Sequence, residues 1–143
     1  MKSLLIVEDN SQDEKLMLRA LGKVNLANRI DVVRDGQQAL DYLFAEGEYA
    51  GRKGEEPPAI VLLDIGLPKL SGLEVLARIR SNPATCRIPV AMLTSSDEDC
   101  DRLKSYESGA NSFVRKPIDF TRFAETVANM GVYWLMTNEP PKG

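Results

Sequence analysis

Four short strand-like runs in this chain each end in a polar residue of a particular kind. Glu8 and Asp9 follow Leu4-Leu5-Ile6-Val7, and Asp64 follows Ile60-Val61-Leu62-Leu63. Thr94 follows Pro89-Val90-Ala91-Met92-Leu93, and Lys116 follows Phe113-Val114-Arg115. Short apolar runs with helical stretches between them read as buried parallel strands. In an open α/β sheet the carboxyl ends of such strands form the ligand crevice. The pattern therefore gathers carboxylates, a hydroxyl and an ammonium at one edge, which suits a divalent cation and a phosphoryl group.

Helical patterns fill the gaps between the runs. Strand one spans about Ser3–Glu8, and Asn10 or Ser11 caps a helix with Leu16, Leu18, Leu21 and Val24 at helical spacing. Ile30–Val33 is a second strand, after which Asp35-Gly36 turns into a helix with Ala39, Leu40, Leu43 and Phe44 facing inward. Glu46–Pro58, rich in Gly, Glu and Pro, reads as a solvated loop, either a tolerated insertion or a carrier of its own interaction. Ala59–Asp64 is the central strand, and 66–72 a loop before a helix marked by Leu73, Val75, Leu76 and Ile79 and stopped by Asn82-Pro83. Pro89–Thr94 is strand four. A fourth helix, with Asp97-Glu98-Asp99 in its first turn and Cys100, Leu103 and Tyr106 as its stripe, stops at Gly109. Ser112–Arg115 is strand five, and a last helix opens near Asp119 with Phe120, Phe123, Val127, Met130 and Trp134 on one face. Five alternating βα units imply a doubly wound, five-stranded parallel sheet with helices on both faces.

The totals narrow the classes. A chain of 143 residues is read as one domain over 1–143, its core about 3–134 and an apolar tail over 133–143. A net charge of −3 gives no support for nucleic-acid binding. No apolar stretch approaches a membrane span, and Met1-Lys2-Ser3 leads straight into a strand, so a cytoplasmic location is expected. Cys86 and Cys100 lack metal spacing and read as reduced thiols. The absence of histidine excludes imidazole catalysis and storage of a phosphoryl group on this chain's own histidine.

Carboxylates crowded at strand ends raise one another's pKa unless a cation joins them. Glu8, Asp9 and Asp64 suit a hard ion with oxygen ligands, and Mg²⁺ fits best. Lys116 can meet a phosphoryl oxygen, Thr94 can donate to another, and Asp64 is the natural nucleophile for an acyl phosphate.

The chain resembles the receiver (CheY-like) domain of two-component response regulators. The resemblance is carried by Ile6-Val7-Glu8-Asp9-Asn10, Leu63-Asp64-Ile65-Gly66-Leu67-Pro68-Lys69-Leu70-Ser71-Gly72, Val90-Ala91-Met92-Leu93-Thr94-Ser95-Ser96 and Phe113-Val114-Arg115-Lys116-Pro117, in the family's order. It implies a flavodoxin-like strand order 2-1-3-4-5 and a sensor histidine kinase as phosphoryl donor. It implies Asp64 as phosphoacceptor and Glu8 and Asp9 as the metal-binding pair, with the Gly66 backbone carbonyl as a further Mg²⁺ ligand. Thr94 and Lys116 take the places of the switch hydroxyl and the phosphate-binding lysine, and the Lys116-Pro117 bond is expected to be cis. Phe113 holds the switch-aromatic position without the hydroxyl a tyrosine would bring. Gly66 and Ser96 hold positions that influence dephosphorylation. The chain would catalyse only its own phosphoryl transfer and dephosphorylation.

Plainer readings stand beside these. Thr94 can be a simple cap, and Phe113 ordinary core packing. Trp134, within Tyr133-Trp134-Leu135-Met136, either packs on its own domain or serves a partner, most simply a second copy. A homodimer, if one forms, would use the helix 4, strand 5 and helix 5 face or this tail. The tail and the long loop together are similar to single-domain regulators paired with bacterial phytochromes. With no residues left for an output domain, signalling is expected by protein contact. The alternative is a receiver-like scaffold that works without phosphorylation. A small-molecule phosphatase is disfavoured because Gly66 stands where a second acid is needed, and a flavin site because Glu8-Asp9-Asn10 would repel its phosphate.

Overall fold

The computed structural model describes residues 3–24, 29–67, 69–94, 107, 109–110 and 112–115, and for 20–24, 94 and 112–115 the backbone alone. The elements are β1 (Ser3–Val7), α1 (Ser11–Val24), β2 (Arg29–Val33), α2 (Gly36–Phe44), a 3₁₀ helix (Gly47–Arg52), β3 (Ile60–Asp64), α3 (Gly72–Ser81), β4 (Val90–Thr94) and β5 (Ser112–Arg115). The strands lie in the order β2-β1-β3-β4-β5, and every neighbouring pair is parallel. This is the expected doubly wound sheet. The helices expected within 97–109 and after Asp119 lie outside the described residues, Glu107 and Gly109 apart. So do Cys100, Trp134 and the tail.

Both faces of the central strands are covered, which is why their sequences are unbroken apolar runs rather than alternating ones. Leu5, Val7, Val61, Leu63, Val90 and Met92 pack on one side with Leu40 of α2 and Val75, Leu76 and Ile79 of α3. Leu4, Ile6, Ile60, Leu62, Ala91 and Leu93 pack on the other with Met17 of α1. Among the described side chains of α1 the fully buried one is Met17, with Leu16 and Leu18 partly buried beside it. The leucine periodicity alone passed Met17 over.

Caps set where the helices begin. The Asn10 side chain accepts from the backbone N–H groups of Gln12 (2.9 Å) and Asp13 (3.0 Å), so Asn10 rather than Ser11 caps α1. Asp35 accepts from Gln38 N at 2.8 Å, and Ser71 from Glu74 N at 3.2 Å. Asn82 closes α3 in an extended conformation (φ −107°, ψ 125°), as a residue before proline must. Near that end, the Arg80 guanidinium donates to the carbonyls of Cys86 (3.0 Å), Ile88 (2.6 Å) and Gly109 (2.9 Å).

Glu46–Pro58 is largely exposed, as its composition leads one to expect, but it is not a loop throughout. Gly47–Arg52 forms the 3₁₀ helix, and its side chains hold it against α2. Arg52 lies with its guanidinium carbon 3.6 Å from the centre of the Tyr42 ring, donates to the Tyr42 carbonyl and pairs with Glu55 at 3.0 Å. Tyr49 meets Tyr42 edge-on, centroids 5.4 Å apart. Tyr42 is 2% exposed, and its hydroxyl donates to Asp31 at 2.5 Å. A Gly- and Glu-rich composition signals flexibility, but here two side chains spaced one turn apart override it.

Candidate metal and phosphoryl site

β1 and β3 are neighbours, with Val7 level with Leu63. One step further, each strand reaches its acidic end at the same edge of the sheet. There the carboxylates of Glu8, Asp9 and Asp64 converge, with one oxygen from each lying within 4.8 Å of the others. Glu8 is fully buried and Asp64 is 7% exposed, whereas Asp9 faces solvent. β1 itself stops at Val7, so Glu8 sits just past the strand that was expected to include it.

The local backbone aims these groups. Glu8 N donates to Val33 O of β2 at 3.0 Å, and the Glu8 Oε2 atom accepts from Asn10 N at 3.2 Å. Asp64 Oδ1 accepts from Gly66 N at 2.9 Å. Ile65 N continues the sheet by donating to Leu93 O at 2.8 Å, and Ile65 O receives Gly72 N at 2.9 Å, closing the loop 65–71 on itself. Gly72 is required there: a Cβ would stand 2.2 Å from Asp64 O and 2.7 Å from Ile65 Cα. A Cβ at Gly66, by contrast, would meet only Asp64 Oδ1, at 3.8 Å, so a side chain at this position would overhang that carboxylate.

Three crowded carboxylates, two of them buried, repel one another, and each is an oxygen ligand. The donor set fits a hard divalent cation, because charge joins the oxygens and soft ligands are absent from the cluster. The cluster can therefore hold a divalent metal ion. Of the other expected site residues, Thr94 ends β4 and Phe113 pairs with Met92 in β5, but both side chains lie outside the described residues. Lys116 and the Lys116-Pro117 bond also lie outside.

Sequence reading missed the surroundings of the loop that carries Gly66. Asp35 and Lys69 form an ion pair at 3.5 Å, and a Cβ on Gly36 would stand 2.4 Å from Leu70 O. The signal was present as two pairs of the same kind, Asp35-Gly36 and Ser71-Gly72, each a cap followed by a glycine at a close approach.

The family model of the response regulator receiver domain matches residues 4–128. The chain belongs to this family. Its members work by phosphorylation-based two-component signalling, and this chain is a response regulator of that kind. It is 35% identical to the response regulator Rcp1 of Synechocystis over 95% of this chain and 90% of that protein. The Mn²⁺-bound form of Rcp1 superposes with a TM-score of 0.86 at 34% identity, covering 99% of this chain and all (100%) of that one. The phosphorylated cyanobacterial phytochrome response regulator RcpA gives a TM-score of 0.86 at 37% identity, covering 99% of each chain. The bacteriophytochrome response regulator RtBRR is 50% identical, with a TM-score of 0.81 over 100% of this chain and 86% of that one. Among the described residues, no helix is long and apolar enough to cross a membrane.

Proposed function

We propose that this regulator takes a phosphoryl group onto Asp64 from a phosphohistidine of a sensor kinase. An Asp64 carboxylate oxygen forms the new O–P bond as the N–P bond to the donor imidazole breaks, and that nitrogen keeps the electron pair. The observation that carries the reading is the convergence of Glu8, Asp9 and Asp64 at one sheet edge. Mg²⁺, when bound, would neutralise phosphoryl oxygens, held by Glu8, Asp9, Asp64 and the Gly66 carbonyl. Oδ1 of Asp64 is oriented by Gly66 N–H, so the nucleophile is aimed by its own chain. Lys116 and Thr94 complete the site by the family's motif, Lys116 as a fixed positive charge and Thr94 as the hydroxyl that follows the new group. Phe113 then repacks behind Thr94.

The kinase is of phytochrome type. The likeness to RcpA and RtBRR, both named as phytochrome response regulators, supports this. The chain acts as a single receiver domain in the cytoplasm, where a histidine kinase finds its ATP. It signals by protein contact and catalyses only its own phosphoryl transfer and dephosphorylation. Its negative net charge favours protein partners over nucleic acid or an anionic membrane. A second copy is one such partner, through β5 and the helices on either side of it or through the apolar segment Tyr133–Met136.

Intact-mass measurement after incubation with acetyl phosphate and Mg²⁺ tests the reading, with Asp64→Asn in parallel. One phosphoryl addition, absent in Asp64→Asn and absent without Mg²⁺, is expected. No addition from acetyl phosphate or from a phytochrome-type kinase would leave the phosphorylation-independent scaffold as the better account.

A further inference from the structure

The loop 65–71 is held from two sides. At its base, Gly72 is wedged against the Asp64 carbonyl, and the Ile65 carbonyl receives Gly72 N–H. On its far side, Leu70 lies against the start of α2, where a Cβ on Gly36 would stand 2.4 Å from Leu70 O and 2.7 Å from Leu70 Cβ. Next to Leu70, Lys69 adopts φ 67°, a left-handed conformation that a residue with a side chain occupies only when its surroundings hold it there. The Lys69 ammonium is 3.5 Å from Asp35 Oδ2, while Asp35 Oδ1 caps α2 through Gln38 N at 2.8 Å.

An exposed ion pair by itself contributes little. This one differs in that Asp35 is 8% exposed and already fixed by its capping bond, so only Lys69 has to be ordered. We infer that Asp35 and Lys69 are positioning residues for the phosphoryl site. Their pair holds the loop in the conformation that presents the Gly66 peptide, whose N–H engages Asp64. The inference rests on the proposed reading of Asp64 and Gly66, and neither Asp35 nor Lys69 needs to touch the phosphoryl group.

The sign of one substitution separates positioning from plain electrostatics. Lys69 is a cation, so on charge alone Lys69→Met binds Mg²⁺ no more weakly than the wild type, Asp35→Asn no more tightly, and the double variant nearly as the wild type. Positioning makes all three weaker, by about threefold, with the double variant no worse than either single one. Lys69→Arg keeps the pair and is expected to restore binding. The measurements are calorimetric titration with Mg²⁺ and hydrogen exchange of the Gly66 amide in metal-free protein, which is expected to speed up in Lys69→Met. Tighter or unchanged Mg²⁺ binding in Lys69→Met, with unchanged Gly66 exchange, overturns the inference alone. A wild-type chain that binds no Mg²⁺ overturns the functional reading, and the inference with it, whatever the Gly66 amide does.

Discussion

The backbone N–H of Gly66 donates to Oδ1 of Asp64, two residues earlier, at 2.9 Å. A short reverse bond of this kind is local, yet the loop that makes it possible is closed by Gly72 and braced by α2. The loop that presents Gly66 thus reaches Asp35, which precedes Asp64 by 29 positions in sequence.

Metal binding should stabilise the fold. Glu8, Asp9 and Asp64 bring three oxygen ligands together in the folded chain, and the cluster does not exist in the unfolded one. At Mg²⁺ a hundredfold above its dissociation constant the gain is about 2.7 kcal/mol, or a rise of roughly 8 °C in Tm. Thermal unfolding followed by circular dichroism, with and without Mg²⁺, checks this. Asp9→Asn is expected to remove most of the rise.

Gly72→Ala should be strongly destabilising, because the added methyl would stand 2.2 Å from the Asp64 carbonyl and something must move. A loss of roughly 2–3 kcal/mol in urea unfolding is expected, together with slower phosphoryl uptake. Gly51→Ala is the control: its Cβ meets nothing within 4 Å, and a change below about 1 kcal/mol is expected.

Tyr42 gives the fold an alkaline limit. Burial, then the hydrogen bond to Asp31, pushes its phenol well above the usual tyrosine range. The folded state thus keeps its proton at pH values where the unfolded chain has lost it. The contribution is complete below the unfolded value of about 10 and is lost as pH rises above it. Urea midpoints measured from pH 7 upward should fall more steeply above pH ~10 in the wild type than in Tyr42→Phe. At pH 7 the variant should be less stable by about 1–2 kcal/mol, since Asp31 loses a donor.

Arg52→Ala should loosen the 3₁₀ helix without touching the chemistry. The stacking on Tyr42 and the bond to its carbonyl disappear, at a cost of about 1–2 kcal/mol. Trypsin is expected to cut after the exposed Lys53 faster than in the wild type. Phosphoryl uptake should not change, because this packing centres on Tyr42 and the start of β2, away from the acidic edge.

Much of this architecture was legible in the sequence because a buried parallel strand leaves a plain trace. Val61, Leu62 and Leu63 have apolar neighbours on both faces, so nothing interrupts the run until Asp64 reaches the edge. The acidic cluster was legible for the same reason, since strand ends at one edge must meet. Met17 was hidden because the leucines around it carry the periodicity and a methionine fits equally well in a core. The 3₁₀ helix was hidden because its order comes from Tyr49 and Arg52 meeting Tyr42, a contact that Gly- and Glu-rich composition does not announce. The Asp35–Lys69 pair was hidden because it joins two loops, and loops carry no period.

The acidic cluster has a dry side and a wet side. Glu8 is sealed beneath the sheet edge, while Asp9 stands in water. Of the three carboxylates, Asp9 is the one solvent reaches freely and Glu8 the one it does not reach, so an entering ion would exchange water for Asp9 more readily than for Glu8. Where the approach to Asp9 is open, the rate of loading is set by how readily the ion sheds its own water. A fast-exchanging ion such as Mn²⁺ should therefore equilibrate sooner than Mg²⁺ on the same three carboxylates, which makes the identity of the metal a clock as well as a charge.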